Sequence, residues 1–133
     1  MARLFVAINL TPDVREQLFD ATAPLREAAP WVRWTRAEQL HITVRFIGEQ
    51  PDDMIPKFAE SIDRAVVSTP AMRLELREVG AFPTFRRARI VWFGAAYDPK
   101  LELLHHDVET AVMSLGLEAE GRAFRPHVML SPT

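Results

Sequence analysis

Along this chain the spacing of apolar residues alternates between the period of a strand and the period of a helix. Residues 3–10, RLFVAINL, are rich in β-branched and aromatic side chains and stop at Thr11-Pro12. That predicts a strand running into a helix, with Thr11 as N-cap and Pro12 at the first helical position, where a missing N–H costs nothing. Val14, Leu18, Phe19, Thr22 and Leu25 follow at helical spacing and predict one helix over about 12–28, ended by Pro30. In LHITVRFI the period falls to two. Ile42, Val44 and Phe46 share one face of a strand, and His41, Thr43 and Arg45 share the other. Gly48, Gln50 and Pro51 close that strand, and DDMIPKFAESIDRAVV reads as a second helix whose acidic first turn suits the helix dipole.

From Ala71 the second half opens with strands. MRLELREVGAF alternates at Met72, Leu74, Leu76 and Val79, and ARIVWFGAA returns after PTFRRA, which predicts a hairpin with an arginine-rich connection. From Pro99, the positions Leu101, Leu104, Val108, Val112 and Leu115 mark a third helix, stopped by Gly116. The last segment, RAFRPHVMLSPT, reads as a final strand running to the chain end. Strands and helices interleave in each half, and each half has one strand bearing a histidine. The expected fold is therefore α+β with two related lobes, approximately 1–70 and 71–133. No Gly/Ser-rich linker parts them, so they are expected to be lobes of a single domain, 1–133.

Composition narrows the class. A chain of 133 residues, 48% hydrophobic and 26% charged, fits one globular domain with a real core. It contains no cysteine, which excludes a disulfide scaffold and a zinc-thiolate site. The first apolar run breaks at Asn9, Thr11 and Pro12, far short of the roughly 20 residues that span a membrane, and shows no small-residue cleavage site. A soluble, cytoplasmic protein without membrane partners is expected. A formal net charge of −2 argues against a protein-wide field that grips long nucleic acid, leaving a small anion or one end of an RNA as ligand. Locally, Arg86, Arg87 and Arg89 are either a solvated hairpin tip or phosphate contacts.

The candidate chemistry lies on the histidine strands. Alternation puts an imidazole and a hydroxyl, His41 and Thr43, on one surface with Arg45 two residues on. A lone histidine on a polar strand face is ordinarily just solvated, but His127 repeats the pattern in RPHVML. Two histidines facing one phosphate can divide the roles of general base and general acid, because an ordinary imidazole titrates near about 6.5. Spacing alone leaves open which does which. Arg125 precedes His127 by two and is a further phosphate candidate, although Pro126 interrupts the alternation. His105 and His106, adjacent on the third helix, are expected at its surface. Trp34, Phe82 and Phe85 could stack on a base or sit in the core. No metal-ligand spacing, Gly-rich phosphate loop or serine or cysteine nucleophile motif stands out, so no metal or cofactor is called for.

An HxTxxFxG run from His41 to Gly48, FP followed by an arginine-rich stretch and a strand with Trp, and RPHV near the end together resemble the 2H phosphoesterase family. Within it the likeness is greatest to the RNA 2′,3′-cyclic phosphodiesterases, also known as 2′-5′ RNA ligases, and it covers essentially the whole chain. The resemblance implies a bilobal, pseudo-twofold α+β fold in which antiparallel sheets line a central cleft with helices outside. It implies hydrolysis of RNA or nucleotide 2′,3′-cyclic phosphate ends to 2′-phosphates without a metal. His41 would give a proton to the leaving 3′ oxygen, His127 would activate water, and Thr43 would hold the phosphate. Arg45 and Arg125 would add charge to that substrate site.

Two departures from the family pattern matter. The second motif, expected as His-x-Thr-Leu-Ala-Arg, reads His127-Val128-Met129-Leu130-Ser131-Pro132. A thioether donates no hydrogen bond, and losing a donor at developing charge commonly costs about 10² to 10³ in rate. Family members also continue with further C-terminal strands that this chain would lack, leaving an open edge beside the last strand, which implies either a truncated product or a homodimer that covers that edge. The expectations are thus a hydrolase of cyclic-phosphate ends or, alternatively, a catalytically impaired module that binds nucleotides or RNA ends.

Overall fold

The computed structural model describes residues 1–131, and its elements are β1 (Ala2–Asn9), α1 (Pro12–Ala21), α2 (Ala23–Ala28), β2 (His41–Gln50), α3 (Ile55–Val66), β3 (Leu76–Phe82), β4 (Ile90–Ala95), α4 (Pro99–Ser114) and β5 (His127–Met129). Short 3-10 turns at Ala37–Gln39 and Asp52–Met54 precede β2 and α3. The strands hydrogen-bond in the order β1-β2-β5-β4-β3, and the pairs β2/β5, β5/β4 and β4/β3 are antiparallel. This is the α+β class that the patterning predicts. Among the described residues no helix is long and apolar enough to cross a membrane.

The expected helix over 12–28 forms as two. Thr11 caps α1 by accepting from the Val14 N–H, with Pro12 in the first turn, but the helix stops at Ala21. Pro24 has no N–H to continue the ladder, and the buried Thr22 hydroxyl donates to the Leu18 and Phe19 carbonyls instead. The final strand is also shorter than expected, running only from His127 to Met129, because Pro126 cannot donate to a ladder. Its other expected end, Pro132-Thr133, lies outside the described residues, and so does the Pro132 departure from the motif.

Two compact units are distinguished. One comprises Met1–Ala7, Thr43–Leu74 and Tyr97–Arg125. Its core joins Val44, Phe58 and the inward stripe of α4: Leu101, Leu104, Val108, Ala111 and Val112. Asp98 caps α4 by accepting from the Lys100 N–H at 2.8 Å, and Ser61 on α3 donates to the Ala111 carbonyl. Here the alternation expected of β2 shifts by one. Val44 and Arg45 are both buried, and Phe46, expected on the core face, is 61% exposed and 6.1 Å from Phe5.

The other unit comprises Ile8–Ile42, Glu75–Ala96 and the chain from Pro126. Ile42, Val91 and Val128 form the buried side of its sheet, joined in the core by Leu18, Val32, Leu40, Ala88 and Leu130. Burying such a side chain is worth about 1.5–3 kcal/mol. Past its three ladder residues, β5 is held by the Leu130 N–H on the Val91 carbonyl and by the fully buried Ser131 hydroxyl, which accepts from the Val91 N–H at 2.8 Å. β5 lies between β2 and β4 and is hydrogen-bonded to both.

Candidate active site

His41 opens β2 directly after a 3-10 turn, gripped on either side by Leu40 and Ile42, which are 3% and 1% exposed. Two buried apolar neighbours fix the strand and turn the half-buried imidazole to the opposite face. Its Nδ1–H donates to the Gln39 carbonyl at 2.7 Å. A carbonyl only accepts, so Nδ1 keeps a proton and proton exchange falls to Nε2. Val128, fully buried, does for His127 what Ile42 does for His41.

The pairing of Ile42 with Val128 sets the geometry of the pair. In an antiparallel ladder with that register, His41 stands opposite Met129, and His127 is its diagonal neighbour on the same face. Diagonal neighbours are about 7–8 Å apart at the backbone, a gap that admits a phosphate between two imidazoles. Register thus brings together His41, His127 and Met129, and Thr43 leaves β2 two residues on from His41 on the same strand face.

The other expected site residues fare differently. Arg45 is buried and tied to its own unit. Its guanidinium donates to Glu109 Oε1 at 2.9 Å and to the Phe46 and Glu118 carbonyls, with Glu120 3.5 Å away, and its side chain is 10% exposed. Four acceptors of its own unit surround the charge. Arg125 is exposed in the loop before β5, and Arg86, Arg87 and Arg89 are exposed in the β3–β4 connection. His105 is not a surface residue: its ring stacks on Phe124 at 4.2 Å with planes 5° apart. Trp34 donates its indole N–H to the Ala29 carbonyl, whereas Phe82 and Phe85 are 58% and 64% exposed. Among the described residues no cluster of three His, Asp or Glu side chains could hold a metal ion.

These features match known proteins. The family model described as LigT like Phosphoesterase matches residues 8–92. The RNA 2′,3′-cyclic phosphodiesterase of Geobacillus stearothermophilus is 27% identical over 127 residues, covering 96% of this chain and 40% of that protein's length. That of Thermus thermophilus is 31% identical over 135 residues, covering 97% of this chain and 67% of its own. The crystal structure of Escherichia coli LigT complexed with 3′-AMP superposes with a TM-score of 0.76 at 30% identity, over 97% of this chain and 71% of that one. This chain therefore spans less than half of the Geobacillus relative and about two thirds of the others. With its histidine strands and matching flanks, the chain belongs to the LigT-like phosphoesterase family.

Proposed function

We propose that this chain, working as one domain, hydrolyses 2′,3′-cyclic phosphates at RNA or nucleotide ends to 2′-phosphates by acid/base catalysis between His41 and His127, without a metal. The observation that carries this is the Ile42–Val128 register, which sets the two histidines diagonally on one sheet face. With phosphorus between the rings, one imidazole takes the proton of the attacking water as its oxygen bonds to phosphorus. The other delivers a proton to the 3′ oxygen as the P–O3′ bond breaks. The bond from His41 Nδ1 to Gln39 orients Nε2 as the exchanging nitrogen, which suits either role, and the acid role of His41 is taken from the family likeness. Thr43 and Arg125 are assigned to the phosphate. The names of the relatives support the substrate class, and the 3′-AMP held by Escherichia coli LigT supports a nucleotide phosphate as the ligand.

Hydrolysis of nucleoside 2′,3′-cyclic phosphates in excess chelator tests this, with the product isomer identified by phosphorus NMR. His41→Ala and His127→Ala are each expected to lower kcat by about 10² to 10⁴. Met129, at the register position facing His41, favours a second reading, a module that binds the same ends without turning them over. Bound nucleotide with no turnover would select it.

A further inference from the structure

We propose that Trp92 is a binding residue for this site: the nucleobase of the substrate stacks on its indole, and Gly80 holds that indole flat against the sheet. The proposal rests on the reading above, in which a phosphate sits between His41 and His127. Cross-strand pairing assembles the face. Met129 pairs with Trp92, and Trp92 with Gly80. One step along, His127 pairs with Gly94, and Gly94 with Glu78. Val128, Phe93 and Val79 alternate to the other side, so Trp92 leaves the sheet on the face that bears both histidines.

A Cβ built on Gly80 would meet three contiguous indole atoms of Trp92, Cε2, Cζ2 and Nε1, at 2.2, 2.3 and 2.5 Å. Such near-equal distances to neighbouring ring atoms mark an approach onto the ring's face. The indole therefore lies across β3 in the space a side chain at position 80 would fill, and it is half-buried; with one face down on β3, the opposite face is the one the proposal gives to the base. Beside it Gly94 contributes no side chain, and a Cβ there would touch only the Glu78 carbonyl, at 3.4 Å. The strip between His127 and the indole is thus low and open. From the midline of β2 and β5, where the phosphate sits, to the midline of β4 and β3 is two strand spacings, about 10 Å. Ribose passing over Gly94 brings a base to the indole's outward face. Stacking of this kind is tolerant of sequence, since every base has a π-face.

The test compares KM for adenosine 2′,3′-cyclic phosphate with KM for the base-less 1-O-methylribose 2′,3′-cyclic phosphate. Trp92→Ala should raise the ratio of nucleotide to base-less KM by about 5- to 150-fold, and Trp92→Phe, which keeps a ring, by less. Gly80→Ala should raise it too, because the new methyl unseats the indole while Trp92 remains. An unchanged ratio, or equal losses on both substrates, would overturn the platform. Binding of adenosine 3′-monophosphate and of inorganic phosphate separates this proposal from the hydrolytic reading. If the wild type turns over nothing, yet Trp92→Ala weakens the nucleotide and not phosphate, the platform stands and hydrolysis falls. If turnover needs both histidines while Trp92→Ala leaves the ratio unchanged, hydrolysis stands and the platform falls.

Discussion

Met129 faces His41 across the β2–β5 ladder, on the sheet face where the proposed phosphate sits. Its half-buried thioether can fill space and polarise, but it offers no donor to an oxygen gaining charge in the transition state. Met129→Thr puts a hydroxyl on the same strand face without touching the buried side, where Val128 and Leu130 hold β5. Steady-state kinetics on a nucleoside 2′,3′-cyclic phosphate should show kcat rising by about 10², with KM changed much less, since the new bond forms mainly to developing charge. A fall in kcat would mean that the chain has fitted its chemistry to the thioether. Both histidines and Met129 could be named from the sequence, because motif and strand alternation are local properties. Trp92 could not be distinguished from a core residue. Its exposure depends on Gly80, a partner across a hairpin whose register no local pattern states.

Arg45 shows how the reading of an element fails when a distant element claims one of its side chains. Two-residue alternation put Arg45 beside His41 and Thr43, yet its guanidinium turns inward to Glu109 on α4 and to the Glu118 carbonyl beyond that helix. The alternation of β2 slips at that point, which is why Phe46 emerges at the surface. A carboxylate arriving more than sixty residues later is invisible to a period count. The same blindness to long-range partners hid the stacking of His105, whereas the stripe of α4, its Asp98 cap and the β3–β4 hairpin were legible because neighbours in sequence decide them. Arg45 and Glu109 are 10% and 14% exposed, so removing one strands the other in a poorly solvated place. Arg45→Ala should cost about 3–5 kcal/mol in urea unfolding, and pairing it with Glu109→Gln should recover part of that loss. A loss below about 1 kcal/mol would show that water reaches Glu109 and compensates it.

Charge over the whole chain decides how much of an RNA the protein can feel. The net charge is −2, and the exposed arginines of the β3–β4 connection are few against 18 acidic residues. The ligand as proposed, held by one phosphate between two histidines and one base on an indole, gains little from further nucleotides. Affinity should then fall with the logarithm of salt concentration at a slope of about −0.7 per phosphate neutralised, and so between about −0.7 and −1.4 for one or two phosphates. Competition of oligoribonucleotides ending in 2′-phosphate against a cyclic mononucleotide, measured from low to high salt, reads that slope directly. Lengthening the competitor from a dinucleotide to a long strand should leave its inhibition constant nearly unchanged. A steep slope that grows with length would instead make Arg86, Arg87 and Arg89 part of a backbone track, and replacing them with glutamine would then flatten the slope. If the slope is shallow from the start, the same replacements should leave it where it was, with the arginines serving only as the solvated tip of a hairpin.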